Sequence, residues 1–113
     1  MTIDKGLIGG SAILLILSLL DGCDRYGYEI IKELELRSDR TFEFKEGSLY
    51  PLLHKLEGKG LIKSYIQTYE KTKDRKYYRI TQSGIEKLVY EKKQWDIFCR
   101  SVNKVIGGEA HAY

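Results

Sequence analysis

The 113-residue chain predicts a mainly α fold with a two-stranded β wing. This is a winged helix-turn-helix in the order α-α-α-β-β-α, paired as a homodimer through its first and last helices. Three observations predict it. Leu49, Leu52, Leu53 and Leu56 recur at i, i+3, i+4 and i+7, the apolar stripe of a short helix whose other face is polar. Two alternating stretches rich in β-branched and aromatic residues, Leu61–Tyr69 and Lys76–Thr81, follow it around a charged tip, Glu70–Arg75. A last helical pattern runs to about Ile106, on the order of 33 Å at 1.5 Å per residue, which is longer than a domain this small can cover.

Composition narrows the class. Hydrophobic content of 42% and charged content of 31% are those of a globular chain and exclude disorder. The length fits one core, with residues 1–81 as the winged helix, 82–107 as a dimerisation helix and 108–113 as a loose tail. Net charge is +3 and the pI near 8.8, so the placement of charge matters more than its total. Cys23 and Cys99 lie far apart without metal-ligand spacing, which fits a reducing, cytoplasmic setting with neither metal nor cofactor. The apolar run Leu7–Leu20 before Cys23 has the wrong flanks for a lipoprotein signal, Asp4 against Lys5 at one end and Asp21 at the other. It is also too short to span a bilayer, and a buried helix is expected.

The elements follow in order. Ser11–Leu20 is apolar on nearly every face and needs cover on both sides. Asp24 is the expected N-cap of a second helix buried through Ile30, Ile31 and Leu34. Ser38–Lys45 reads as a looser piece, with Phe42 and Phe44 alternating as in an extended segment. In the third helix Pro51, the chain's only proline, is expected in the first turn, with Gly58 and Gly60 as the stop. Thr81 or Ser83 caps the last helix, Ser83 with Glu86 as a capping box, and Gly107-Gly108 end it. A spacing of threes and fours links Ile85, Leu88, Trp95, Cys99, Val102 and Ile106, interrupted by Lys92. The dimer interface is expected at Leu14, Leu17, Leu88, Trp95, Cys99, Val102 and Ile106.

The order of elements fits double-stranded DNA. The outer face of the third helix suits a major groove, and five basic residues between Lys71 and Arg79 against the single acid Asp74 place cations beside it. Paired catalytic carboxylates, a nucleophile beside a base, a phosphate-cradling glycine loop and a metal cluster are all missing from the sequence, so no enzyme is expected. A winged-helix protein-interaction module without its own operator is the alternative.

The chain resembles the PadR family of bacterial transcriptional regulators over nearly its full length. The residues that carry the resemblance are YGYEI at Tyr26–Ile30, GSLYPLLHKLEGKGLI at Gly47–Ile62, and KYYRIT followed by Gly84. The single long last helix is similar to that of the family's short subgroup. The resemblance implies a dimeric repressor of inverted-repeat operators, released by a small effector that is often aromatic or lipophilic. Ser48 and Tyr50 match the family's groove-facing positions, with Lys55 and His54 beside them and Tyr26, Tyr28 and Lys32 holding the DNA backbone from the second helix. Tyr50 can equally seal the edge of the core. Lys71, Lys73, Arg75 and Lys76 are placed for phosphates, although the Lys73-Asp74-Arg75 tip departs from the family's Gly-Arg-Pro-like pattern. Trp95, with Phe98, Cys99 and Ile13, is either dimer packing or a stacking wall for a planar effector, as the resemblance implies for the crossing of the long helices.

Overall fold

The computed structural model describes residues 11–69 and 73–107. Helix α1 (Ala12–Leu20) leads to a two-residue strand β1 (Arg25–Tyr26) and then to α2 (Gly27–Arg37) and α3 (Glu46–Gly58). Strands β2 (Ile62–Tyr69) and β3 (Lys73–Ile80) form the hairpin, and α4 (Gln82–Ile106) closes the chain. The fold is the expected winged helix-turn-helix with one addition. The sheet has three antiparallel strands in the order β1-β3-β2, because Arg25 and Tyr26 pair with Tyr78 and Tyr77.

The core forms around α1, which packs against α2, β3 and α4. Ile16, Leu17 and Leu20 are fully buried there, with Ile13, Leu14 and Leu15 half-buried at its margin. Much of the cover that this apolar helix needs therefore comes from its own chain. Leu17 and Leu88, expected at a dimer interface, lie in this core instead, because the first turns of α4 fold over α1. The Arg25 side chain donates from Nε to the Leu19 carbonyl at 2.7 Å, placing a cation at the carbonyl end of α1.

Asp24 does not cap α2. The helix starts after Tyr26, whose backbone N–H donates to the Glu29 carboxylate at 3.2 Å, while the Asp24 side chain turns to the sheet. At the far end, Asp39 donates from its N–H to Leu36 and Arg40 to Glu35, with both residues in the left-handed region at φ 51° and 64°. The piece expected to be extended at Phe42 and Phe44 is a bend at Phe42 followed by irregular backbone through Phe44. The Ser38 hydroxyl donates to the Leu34 carbonyl at 2.7 Å and accepts from the Phe42 N–H at 3.1 Å, which drops Phe44 into the core.

Leu49, Leu53 and Leu56 bring α3 onto the core with no exposed surface, and Leu52 is half-buried beside them. Pro51 sits at the sixth residue of α3, not in its first turn, because the helix already begins at Glu46. It thereby leaves the Gly47 carbonyl without a helical donor, on an exposed face where water can supply one. Gly60, at φ 75°, ends α3: its N–H donates to Glu57 and that of Leu61 to Leu56, each at 3.0 Å.

Thr81 begins α4 by accepting from the Gly84 N–H at 3.0 Å, so the capping box proposed for Ser83 and Glu86 is not the one used. The Thr81 hydroxyl also donates to the Gly60 carbonyl at 2.6 Å, joining the end of α3 to the start of α4. A Cβ on Gly84 would run into the Leu61 carbonyl. Gly107, at φ 84°, ends α4 as expected. With 25 residues, α4 is about 37 Å long at 1.5 Å per residue.

Candidate nucleic-acid interface

The leucines that anchor α3 leave Ser48, Pro51, His54 and Lys55 exposed on its outer side. Of the two acids on the flank, Glu46 stays exposed in the first turn, while Glu57 is drawn away from the outer side by the Ser64 hydroxyl, which donates to it at 2.5 Å. Away from Glu46, the outer side is a convex surface of donors and one cation, backed by rigid packing, of the kind that hydrogen-bonds base edges and phosphates. Tyr50 is packed on one side and open on the other. Its ring lies against Gly27 at the start of α2, in space that a Cβ would fill, yet 44% of the residue is exposed.

The sheet sorts the remaining residues onto two faces. On the face away from α3, Tyr26, Tyr77 and Tyr65 form one row across the three strands, with Tyr28 continuing it. Ring centroids are 6.4 Å apart for Tyr28 and Tyr26, 5.5 Å for Tyr26 and Tyr77, and 5.8 Å for Tyr77 and Tyr65. Arg75 lies over Tyr26 at 4.6 Å and Arg79 over Tyr65 at 5.3 Å. Asp24 closes the row: it accepts from the Tyr65 hydroxyl at 2.6 Å and from Arg79 Nε at 3.0 Å. Partial burial alone would push the Asp24 carboxyl up. Hydrogen bonds from Tyr65 and Arg79, with the charges of Arg79 and Lys63, outweigh it and hold the group below the ordinary aspartate value. The same bond to Asp24 pushes the Tyr65 phenol up.

The basic cluster read from the sequence is therefore divided. Lys73 and Arg75 share the tyrosine face, whereas Lys76 points to the other side, with its Nζ 5.7 Å from the Tyr78 ring and toward α3. Lys73 and Arg75 also lie within β3, not in the hairpin tip, and Lys71 lies outside the described residues. On α2, Tyr28 is exposed with Lys32 5.4 Å from its ring centre, and Lys32 also meets Glu35 at 3.7 Å. Tyr26 is half-buried within the tyrosine row. In the sequence Asp24 reads only as a helix cap, and Tyr65 and Tyr77 only as strand residues. The strand alternation places both tyrosines on one face, but a two-residue β1 leaves no periodic signal to align them with Tyr26.

Along α4, Trp95 and Phe98 stack at 5.7 Å and are exposed, and Cys99 is half-buried one turn on from Trp95. Ile13 packs at the margin of the core. A shallow hollow on distal α4 is lined by Ile97, Arg100, Ser101 and Lys104, on the opposite side of the helix from Trp95. Among the described residues, no group of His, Cys, Asp and Glu could hold a metal ion, and no helix is long and apolar enough to cross a membrane.

Comparison with known proteins gives the same fold and adds a role. A transcriptional regulator from Clostridium thermocellum superposes with a TM-score of 0.81 at 38% identity, over 88% of this chain and 96% of that one. A PadR family transcriptional regulator from Eggerthella lenta superposes with a TM-score of 0.78 at 34% identity, over 90% of this chain and 87% of that one. An uncharacterised protein from Lysinibacillus sphaericus is 39% identical over 89 residues, which is 79% of this chain and 82% of that protein. The family model for the PadR-like transcriptional regulators matches residues 16–89, from α1 through the wing into α4. A leucine-backed α3, a hairpin wing in a three-stranded sheet and that match converge on one conclusion: the chain belongs to the PadR-like family of transcriptional regulators, which act by binding DNA.

Proposed function

We propose that the protein is a dimeric repressor working in the cytoplasm on an inverted-repeat operator, and that a small aromatic or lipophilic effector releases it. Each protomer presents Ser48, Tyr50, His54 and Lys55 to a major groove, with Tyr28 and Lys32 on one side and the wing on the other. The observation that carries the dimer is the distal half of α4. Beyond Leu88, its last fully covered residue, Trp95, Phe98, Val102 and Ile106 stand 46, 59, 37 and 70% exposed on adjoining positions of one side. A lone helix is marginal in water, and a continuous apolar stripe of this kind is explained by a second copy packed along it. Two-fold pairing would set two α3 helices about 34–36 Å apart, one turn of DNA. Trp95 and Phe98, stacked at 5.7 Å on that stripe, are the natural wall for a planar effector.

Sedimentation at micromolar concentration, paired with gel retention of the DNA upstream of its own gene at two salt concentrations with competitor, tests the reading. A dimer that retains DNA in a salt-sensitive way is expected. A monomer overturns the pairing. A dimer without salt-sensitive retention overturns the operator and favours a protein-interaction module.

A further inference from the structure

On the α3 side of the wing, Ser64, Ile66 and Thr68 of β2 pair with Tyr78, Lys76 and Asp74 of β3. Lys76 is exposed between two acids, Asp74 two residues away on its own strand and Glu57 on the flank of α3. Each acid is held by a hydroxyl of β2 instead: Ser64 donates to Glu57 at 2.5 Å and Thr68 to Asp74 at 2.7 Å. The Lys76 ammonium lies 5.7 Å from the centre of the Tyr78 ring and, among the described residues, forms no ion pair. We propose that Ser64 is a positioning residue for DNA binding: its hydroxyl holds Glu57 off Lys76, so that the ammonium stays free for a DNA phosphate between α3 and the wing. This rests on α3 and the wing meeting DNA, as proposed above.

The register puts Glu57 and Lys76 within reach of each other. Lys76 is the diagonal neighbour of Ser64 across the β2–β3 pair, a gap of roughly 7–8 Å that a long side chain spans. Glu57 sits on the Ser64 hydroxyl, so it needs only to let go of that bond to meet the ammonium. Burial pushes the Tyr78 phenol up and the Glu57 charge adds to it, which sets that carboxylate beside the ring that Lys76 overlies. A Glu57–Lys76 pair would have to break before Lys76 could neutralise a phosphate, at a cost in affinity. Ser64 and Glu57 are half-buried, whereas Thr68 and Asp74 are exposed and exchange their bond readily for water. Ser64 is therefore the stronger restraint.

Binding of a short mixed-sequence duplex is followed by fluorescence anisotropy between about 50 and 200 mM salt. The proteins compared are wild type, Ser64→Ala, Glu57→Gln, Lys76→Ala and the double variants Ser64→Ala/Glu57→Gln and Ser64→Ala/Lys76→Ala. Lys76→Ala is expected to lower the slope of log affinity against log salt by about 0.9. Ser64→Ala is expected to weaken binding about two- to fivefold, the range of the exposed ion pair that Lys76 would then have to give up. Glu57→Gln removes the charge that needs holding, so Ser64→Ala/Glu57→Gln should bind as Glu57→Gln alone does. In the Lys76→Ala background, Ser64→Ala should cost nothing further. Wild-type affinity in Ser64→Ala overturns the proposal. A Ser64→Ala loss that Glu57→Gln does not rescue overturns it too, because the hydroxyl would then only be packing α3 against β2. So does an equal Ser64→Ala loss with and without Lys76. An unchanged salt slope in Lys76→Ala overturns it by a separate route, removing the ammonium from the interface. These results leave the operator reading in place, whereas a wild type without salt-sensitive binding would sink that reading and this one with it.

Discussion

The carboxylate of Asp24 accepts a hydrogen bond from the phenol of Tyr65, 41 residues further along the chain, at 2.6 Å. Arg79 donates to the same oxygen, so one carboxylate ties both hairpin strands to the segment that precedes α2. Its pKa in the folded chain lies below the usual 3.8. A depressed carboxylate stabilises the fold fully above its unfolded value and ceases to do so as pH falls through the folded one. Asp24→Asn should therefore be less stable than the wild type at neutral pH, with the gap closing below about pH 4. Urea denaturation across that range measures it.

Gly84 lies in the first turns of α4, where alanine would ordinarily gain about 1 kcal/mol in helix propensity. Here the added methyl meets the Leu61 carbonyl, a backbone atom that cannot swing aside. Gly84→Ala should lose about 1–3 kcal/mol in denaturant titration, the cost of overpacking.

Arg40 holds φ at 64° on an exposed turn. Left-handed backbone costs a non-glycine residue roughly 1–2 kcal/mol, part of which glycine gives back in unfolded-state entropy. Arg40→Gly should raise stability by about 0.5–1 kcal/mol, read as a shift of the denaturation midpoint with unchanged slope.

Trp95 is the chain's only tryptophan, so its emission reports on the proposed effector wall alone. Planar aromatic compounds should quench it with saturation and weaken DNA retention over the same concentration range. Quenching by Trp95 packing partners only, with no response to such compounds, would leave the stripe to dimer packing.

What the sequence revealed and what it hid divide along physical lines. The leucines of α3, the alternation of the hairpin strands and the stop at Gly107 are local and periodic, so spacing alone exposed them. β1 is two residues long and exists because β3 is there to pair with it. Asp24 satisfies the local rule for an N-cap, but two partners 41 and 55 residues away outcompete the helix end. A proline usually marks a first turn, but α3 already begins at Glu46 and Pro51 falls at its sixth residue. Lys76 adjoins Arg75 in sequence, yet strand alternation sends it to the opposite face. Leu88 fits the seam of α4 by spacing, yet α1 reaches it first.

The position of β3 at the centre of the sheet bears on how the chain folds. β1 is made early in synthesis but finds no strand to bond until the last strand of the hairpin exists. The N-terminal half must therefore wait, with its pairing edge open, for residues some fifty positions downstream. Closure over such sequence distances slows folding and makes it cooperative. The wing is thus the clasp whose arrival completes the domain.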